Sequence, residues 1–134
     1  MARQLGVEKN TLRLFDNIGG STIELYYRMP TTKERVDYAN ATVTRKRNKI
    51  LINSGEARLT FGAKILIGFA AGAFIDKDGQ AFSSDSDRSD YRADWKELLC
   101  KYAADLVSLL ASFVFDGSAE IEIDEEDEDT VSKN

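Results

Sequence analysis

The chain has no histidine, a single cysteine and a single proline in 134 residues. Without histidine neither a Ser-His nor a Cys-His pair can be built, and the commonest transition-metal ligand is missing. Cys100 alone gives no internal disulfide and no multi-cysteine metal site, which suits a reducing compartment. Long apolar runs are missing too. The longest uncharged stretches, residues 65–75 and 106–115, are shorter than the roughly 18 apolar residues that span a bilayer. The amino terminus lacks the basic-then-apolar pattern of a secretion signal, so a cytoplasmic protein without membrane contact is expected.

Catalysis finds little to work with. Cys100 falls beside an apolar helical stripe, where a small hydrophobe is expected rather than a nucleophile. Gly19-Gly20-Ser21-Thr22 lacks the lysine of a phosphate loop and leads into a strand. Asp76, Asp78, Asp85, Asp87 and Asp90 do not meet the EF-hand pattern, with neither glycine at the sixth loop position nor glutamate at the twelfth. No catalytic, metal or cofactor residue is assigned, no cofactor is expected, and the chain is read as a non-enzyme.

What is present is sharply divided in charge. Residues 118–134 hold eight acids and one lysine, whereas residues 1–117 hold fifteen acids against seventeen Lys plus Arg. The net charge of −5 is therefore a property of the tail. The body is close to neutral, with one basic cluster at Arg45-Lys46-Arg47-Asn48-Lys49.

Residues 11–16 alternate Leu12 and Leu14 with polar neighbours, and residues 22–29 are rich in β-branched and aromatic types. With Gly19 and Gly20 between them, they predict an antiparallel hairpin. Pro30 ends the second strand, and Thr31 with Glu34 has the spacing of a capping box, so a helix starts at once. Val36, Ala39 and Val43 carry that helix toward the basic cluster, whose cations suit a helix carboxyl end. A second helix opens near Ser54 with Leu59, Ala63, Leu66 and Ala70 on one stripe. Its Gly68 and Gly72 permit a close backbone approach, or Gly72 ends the helix.

Residues 76–91 read as an exposed polar loop with a turn at Asp78-Gly79. Trp95, Leu98, Leu99, Tyr102, Leu106, Leu109, Leu110 and Phe113 then recur by three and four, predicting one amphipathic helix of about 20 residues. Ile121 and Ile123 alternate with glutamate as a short edge strand before the acidic end. The expected architecture is α+β: an N-terminal antiparallel β-hairpin, about three α-helices, and a disordered acidic C-terminal tail. Residues 1–117 form one domain and residues 118–134 the tail.

Three segments together carry a family resemblance: "LYYRMPTTKERVDYANA" from Leu25, the Gly62-Ala63-Lys64-Ile65-Leu66 helix, and "WKELLCKYAADLVSLLASFVFDGS" from Trp95 with its acidic end. In element order, in the aromatic strand before Met-Pro and in the long closing helix, residues 20–128 resemble the tail assembly chaperones of long-tailed bacteriophages and prophages. The resemblance implies a nonstructural protein of the bacterial host cytoplasm that binds the tape measure protein, or another phage tail protein, during tail assembly. Self-association would repeat its binding surface along an extended client.

Partner-binding positions are placed at Leu66 and Phe69 on the apolar helix and at Arg45, Arg47 and Lys49 in the basic cluster. Two other functions compete with this one. The first is a structural completion or connector protein retained in the virion tail. The second is nucleic-acid binding through Arg45–Lys49, although no aromatics interleave with that cluster and nucleic acid is not the expected partner.

Overall fold

The computed structural model describes residues 8–46, 49–52 and 54–116. Strands β1 (Asn10–Asp16) and β2 (Ser21–Tyr27) form the expected antiparallel hairpin, with Leu12 opposite Leu25 and Leu14 opposite Ile23. Asp16 closes its turn: its carbonyl accepts the Gly20 N–H at 2.8 Å and its carboxylate accepts the Ile18 N–H at 3.1 Å. Gly20 takes a positive φ of 74°, which a side chain would resist. Ile23, Leu25 and Tyr27 turn one face of β2 into the core.

The capping box forms as its spacing predicts. The Glu34 N–H donates to Thr31 Oγ1 at 3.2 Å, and the Thr31 N–H donates to Glu34 Oε1 at 2.9 Å. Arg28, on the far side of Pro30, adds two parallel bonds to the Glu34 carboxylate at 2.7 and 2.8 Å. The strand end and the helix start are thus tied by one side chain. Helix α1 runs over Thr32–Thr42.

Three helical expectations are corrected. Helix α1 does not continue through Val43 to the basic cluster. Thr42 Oγ1 bonds back to the Ala39 carbonyl at 2.8 Å, and the β-branched and aliphatic residues that follow form a second antiparallel hairpin, β3 (Val43–Lys46) and β4 (Lys49–Ile52). The cluster therefore lies on a hairpin rather than at a helix end.

Helix α2 (Ser54–Ile65) stops before Leu66, and Leu66–Phe69 becomes β5, paired antiparallel with β2. Leu66 and Phe69 are three apart and would ordinarily face opposite sides. A bulge places Leu66 opposite Tyr27 and Phe69 opposite Leu25, so both point inward. Gly68 and Gly72 share no helix: Gly68 lies in β5, and Gly72 follows it with a φ of 82°.

The long closing helix is two helices, α3 (Trp95–Tyr102) and α4 (Ala104–Ala111), the latter running on as a π-helical turn, Ser112–Asp116. The two directions differ by 93°. Ala103 is the pivot, with its N–H bonded to the Leu99 carbonyl and its own carbonyl accepting Leu106 and Val107. Neither Gly nor Pro causes the break. The two halves pack on different targets: Trp95 and Leu99 join the aromatic cluster around Phe69, while Leu106, Val107 and Leu110 face α2.

At the α2–α4 crossing a β-carbon on Gly62 would sit 2.5 Å from the Val107 carbonyl oxygen and 3.0 Å from its side chain. Glycine is what allows these backbones to approach so closely. A smaller cluster of Tyr38, Ala57, Phe61 and Phe115 joins α1, α2 and the π-helical turn, with Tyr38 stacked on Phe115 at 4.6 Å. The α+β class holds, with a three-stranded antiparallel sheet ordered β1-β2-β5 and the helices packed against it. The acidic residues 118–134, including the strand expected at Ile121 and Ile123, lie outside the described residues.

Two measurements test this packing. Alanine is favoured over glycine within a helix by about 1 kcal/mol, so Gly55→Ala in α2, with nothing within 4 Å, should raise the unfolding midpoint. At Gly62 the clash is with backbone, and overpacking costs about 1–3 kcal/mol, so Gly62→Ala should lower it.

The pH dependence of Glu34 gives the second test. The Arg28 guanidinium bonds, reinforced by Thr31, hold its carboxyl down at about 2, below the usual carboxylate range. The stabilisation is therefore complete above the unfolded value and is lost as pH falls through about 2. Glu34→Gln should be less stable by about 1–2 kcal/mol at pH 7, and the gap to the native chain should close at pH 2 in chemical denaturation.

Candidate functional site

The segment from Phe74 to Asp94 is more ordered than the exposed polar loop expected. Asp76 Oδ1 accepts the N–H groups of Asp78 and Gln80 at 2.9 and 3.0 Å, closing the turn at Asp78-Gly79. Asp85 caps Asp87 in the same way at 2.9 Å. These carboxylates are spent on the loop's own backbone.

Phe82 and Ser83 are buried, against expectation. The next residue, Ser84, accepts the Phe69 N–H at 3.0 Å through its hydroxyl and so covers part of the outer edge of β5. Phe82 meets Phe69 edge-on at 5.6 Å and stacks on Phe74 at 6.4 Å. Periodicity alone did not mark Phe82, an isolated aromatic in a polar stretch. Its aromatic character in a run of Ser and Asp was the available signal.

This loop and the α3–α4 corner enclose a groove of about 660 Å³. That size lies within the roughly 300–1,000 Å³ typical of binding pockets. Its apolar walls come from Phe74, Phe82, Leu98, Leu99 and Ala103. Ile75 and Tyr102 stand at its sides 66% and 74% exposed, large apolar groups that the fold leaves uncovered. Asp76, Lys77, Asp78 and Arg92 supply the polar lining. Arg92 is engaged by Asp94 at 3.0 Å and approaches Asp76 at 3.7 Å.

A second exposed apolar strip lies on the outer face of the closing helix. Leu109 and Phe113, one turn apart, are 53% and 55% exposed. Cys100 sits one turn from Lys96 on α3, and burial pushes its thiol up from the usual range, so it stays protonated at neutral pH.

The sequence-predicted partner positions do not form one site. Leu66 and Phe69 are 0% and 3% exposed, because β5 buries them between the sheet and the aromatic cluster, and in this fold they offer nothing to a partner. Arg45 lies in β3 and Lys49 in β4, while Arg47 lies outside the described residues. Tyr102, Leu109 and Phe113, read as members of the closing amphipathic stripe, are among the exposed apolar groups instead. Among the described residues no single helix is long and apolar enough to cross a membrane. No family model, curated protein or solved structure matches the chain.

The groove walls separate into structural and free positions. Leu99→Asp should unfold the chain, since its side chain is 2% exposed, whereas Tyr102→Asp should leave the circular dichroism spectrum and unfolding midpoint nearly unchanged.

Proposed function

We infer that the protein is a tail assembly chaperone of a long-tailed phage or prophage. It holds apolar helical stretches of the tape measure protein in the bacterial cytoplasm until the tail tube forms around them. The family resemblance over residues 20–128 supports this reading. The single structural observation that supports it is the groove between the 74–82 segment and the α3–α4 corner, flanked by exposed Ile75 and Tyr102.

An amphipathic client helix presents side chains at i, i+3, i+4 and i+7, and an apolar groove of this size takes such anchors. The Leu109–Phe113 strip offers a further apolar contact on the same closing helix. Large exposed apolar groups on a folded domain are a common mark of a binding surface.

Co-expression with the longest helical reading frame immediately downstream in a phage or prophage neighbourhood should give a soluble complex, while the client alone aggregates. Tyr102→Asp and Ile75→Asp should each abolish co-purification without changing the fold. If the client is equally soluble with and without this chain, and the two never co-purify, the chaperone reading is wrong. Detection of the protein at fixed copy number in purified particles by mass spectrometry would assign it to the virion tail instead.

A further inference from the structure

The three-stranded sheet has two outer edges, β1 and β5, and the fold treats them differently. On β5 the Ser84 hydroxyl takes the Phe69 N–H at 3.0 Å and reaches the Phe69 carbonyl at 3.5 Å, so the outward backbone groups of that residue are already bonded. Strand β1 has no such cover among the described residues. It is seven residues long, holds no proline and pairs with β2 without a register shift, so it lacks the usual devices that blunt an edge.

Backbone directions identify the open groups. The N–H and C=O of a strand residue point the same way, and that direction alternates along the strand. The Ala70 N–H donates to the Glu24 carbonyl, so Glu24 turns its backbone groups to β5, and Ile23 and Leu25 turn theirs to β1. Their partners Leu14 and Leu12 therefore point back at β2. Thr11, Arg13 and Phe15 are left pointing outward, and among the described residues nothing bonds to their backbone on that side.

The spacing of these three positions makes the strand its own complement. When a second β1 is laid antiparallel with Arg13 opposite Arg13, Thr11 falls opposite Phe15 and Phe15 opposite Thr11. Every outward-pointing residue then meets another, and both backbone bonds of each pair can close. The side chains agree with this register. On the core face Leu12 meets Leu14 of the second copy. Leu12 already lies opposite Leu25 and Leu14 opposite Ile23, so the apolar rows run unbroken from one core to the other. On the outer face Phe15, 58% exposed, is covered by Thr11 of the second copy, with Tyr26 next in the same row.

The central row sets two arginines opposite each other. Each is held by Glu24 of its own chain at 3.1 and 2.7 Å, so the row reads acid, base, base, acid. A shift by one residue would put the leucines on the outer face of the neighbouring sheet, and a shift by two would leave an end of each strand overhanging.

We propose that the chain forms a closed dimer in which β1 pairs antiparallel with β1 of a second copy about a two-fold axis at Arg13. The two three-stranded sheets become one, with the helices of both copies on the same face. Ser84 bars the β5 edge, so growth stops at two. This assignment is independent of the groove and of any client. A strand edge is a small interface, so half-association falls at about 1–100 μM.

Sedimentation velocity on the full chain should show the mass moving from 15.0 kDa to twice that value as concentration rises through this range. A chain still monomeric at about 500 μM overturns the proposal. Residue-resolved amide exchange should slow at least about tenfold at Thr11, Arg13 and Phe15 between monomer and dimer, with smaller changes at Leu12 and Leu14, whose amides are already bonded to β2. A dimer in which the three outward amides gain no protection is built on another face, and that result also overturns it.

Charge pairs test the register. Thr11 and Phe15 are exposed, so their replacement leaves the core intact. Thr11→Lys with Phe15→Lys sets lysine opposite lysine across the axis and should weaken the dimer at least about tenfold at low salt. Thr11→Lys with Phe15→Glu sets lysine opposite glutamate and should restore it. Circular dichroism and the unfolding midpoint verify that both variants are folded. Equal association of the two folded variants overturns the proposal. Should the double-lysine variant fail to fold, amide protection in the native chain decides alone.

Discussion

The pairing of β5 with β2 is the constraint on which the remaining structure depends. It joins strands separated by α1, the second hairpin and α2, and it makes β2 a central strand with neighbours on both sides. The Arg28 N–H bonded to the Ile65 carbonyl and the Ala70 N–H bonded to the Glu24 carbonyl extend the ladder past both ends of the paired residues. Pairing at this sequence separation costs loop-closure entropy, which only burial can offset. Phe69 supplies much of it, packing edge-on against Phe74 at 4.9 Å, Phe82 at 5.6 Å and Trp95 at 5.8 Å. A buried aromatic of this kind is worth about 3–5 kcal/mol against alanine, enough to fix the path of the chain beyond it.

The bend at Ala103 follows from that path. Aromatic packing sets α3 through Trp95, whereas α4 is set by its close crossing with α2 at Gly62. One straight helix cannot satisfy both contacts, so the chain breaks where a small residue can sit outside helical geometry, at φ −129° and ψ 36°. Tyr102, the last residue of α3, is left outside the core and beside the groove. The groove is thus a by-product of two incompatible packing demands.

Much of the amino-terminal half was legible because its signals are local. Strand alternation at Leu12 and Leu14, the glycine turn, Pro30 and the Thr31–Glu34 box each act within a few residues, and each forms as read. The misreadings arise where a distant partner decides the outcome. "ILIGF" fits the stripe of a buried helix as well as it fits a strand, and only the free edge of β2 selects the strand. The closing stripe from Trp95 to Phe113 is correctly periodic, but periodicity carries no information about a kink made without Gly or Pro. The candidate site was illegible for the same reason. Its walls come from a loop and a helix corner that no local pattern brings together, and the two apolar residues singled out beforehand, Leu66 and Phe69, are the ones the fold consumes.

The closing helix shows why apolar surface is left over at all. Its inner face, Leu106, Val107, Leu110, Ala111 and Val114, is fully taken up by α2 and the sheet core, yet Leu109 and Phe113 on the other face are as apolar as these. A helix with a polar outer face would serve this core equally well, because the buried contacts are already complete. The exposed pair therefore contributes little to folding, and each group costs solubility. Such surplus apolar surface is what the proposed contact with a client would draw on. The groove beside Tyr102 and the Leu109–Phe113 strip, on either side of the Ala103 pivot, meet that description together.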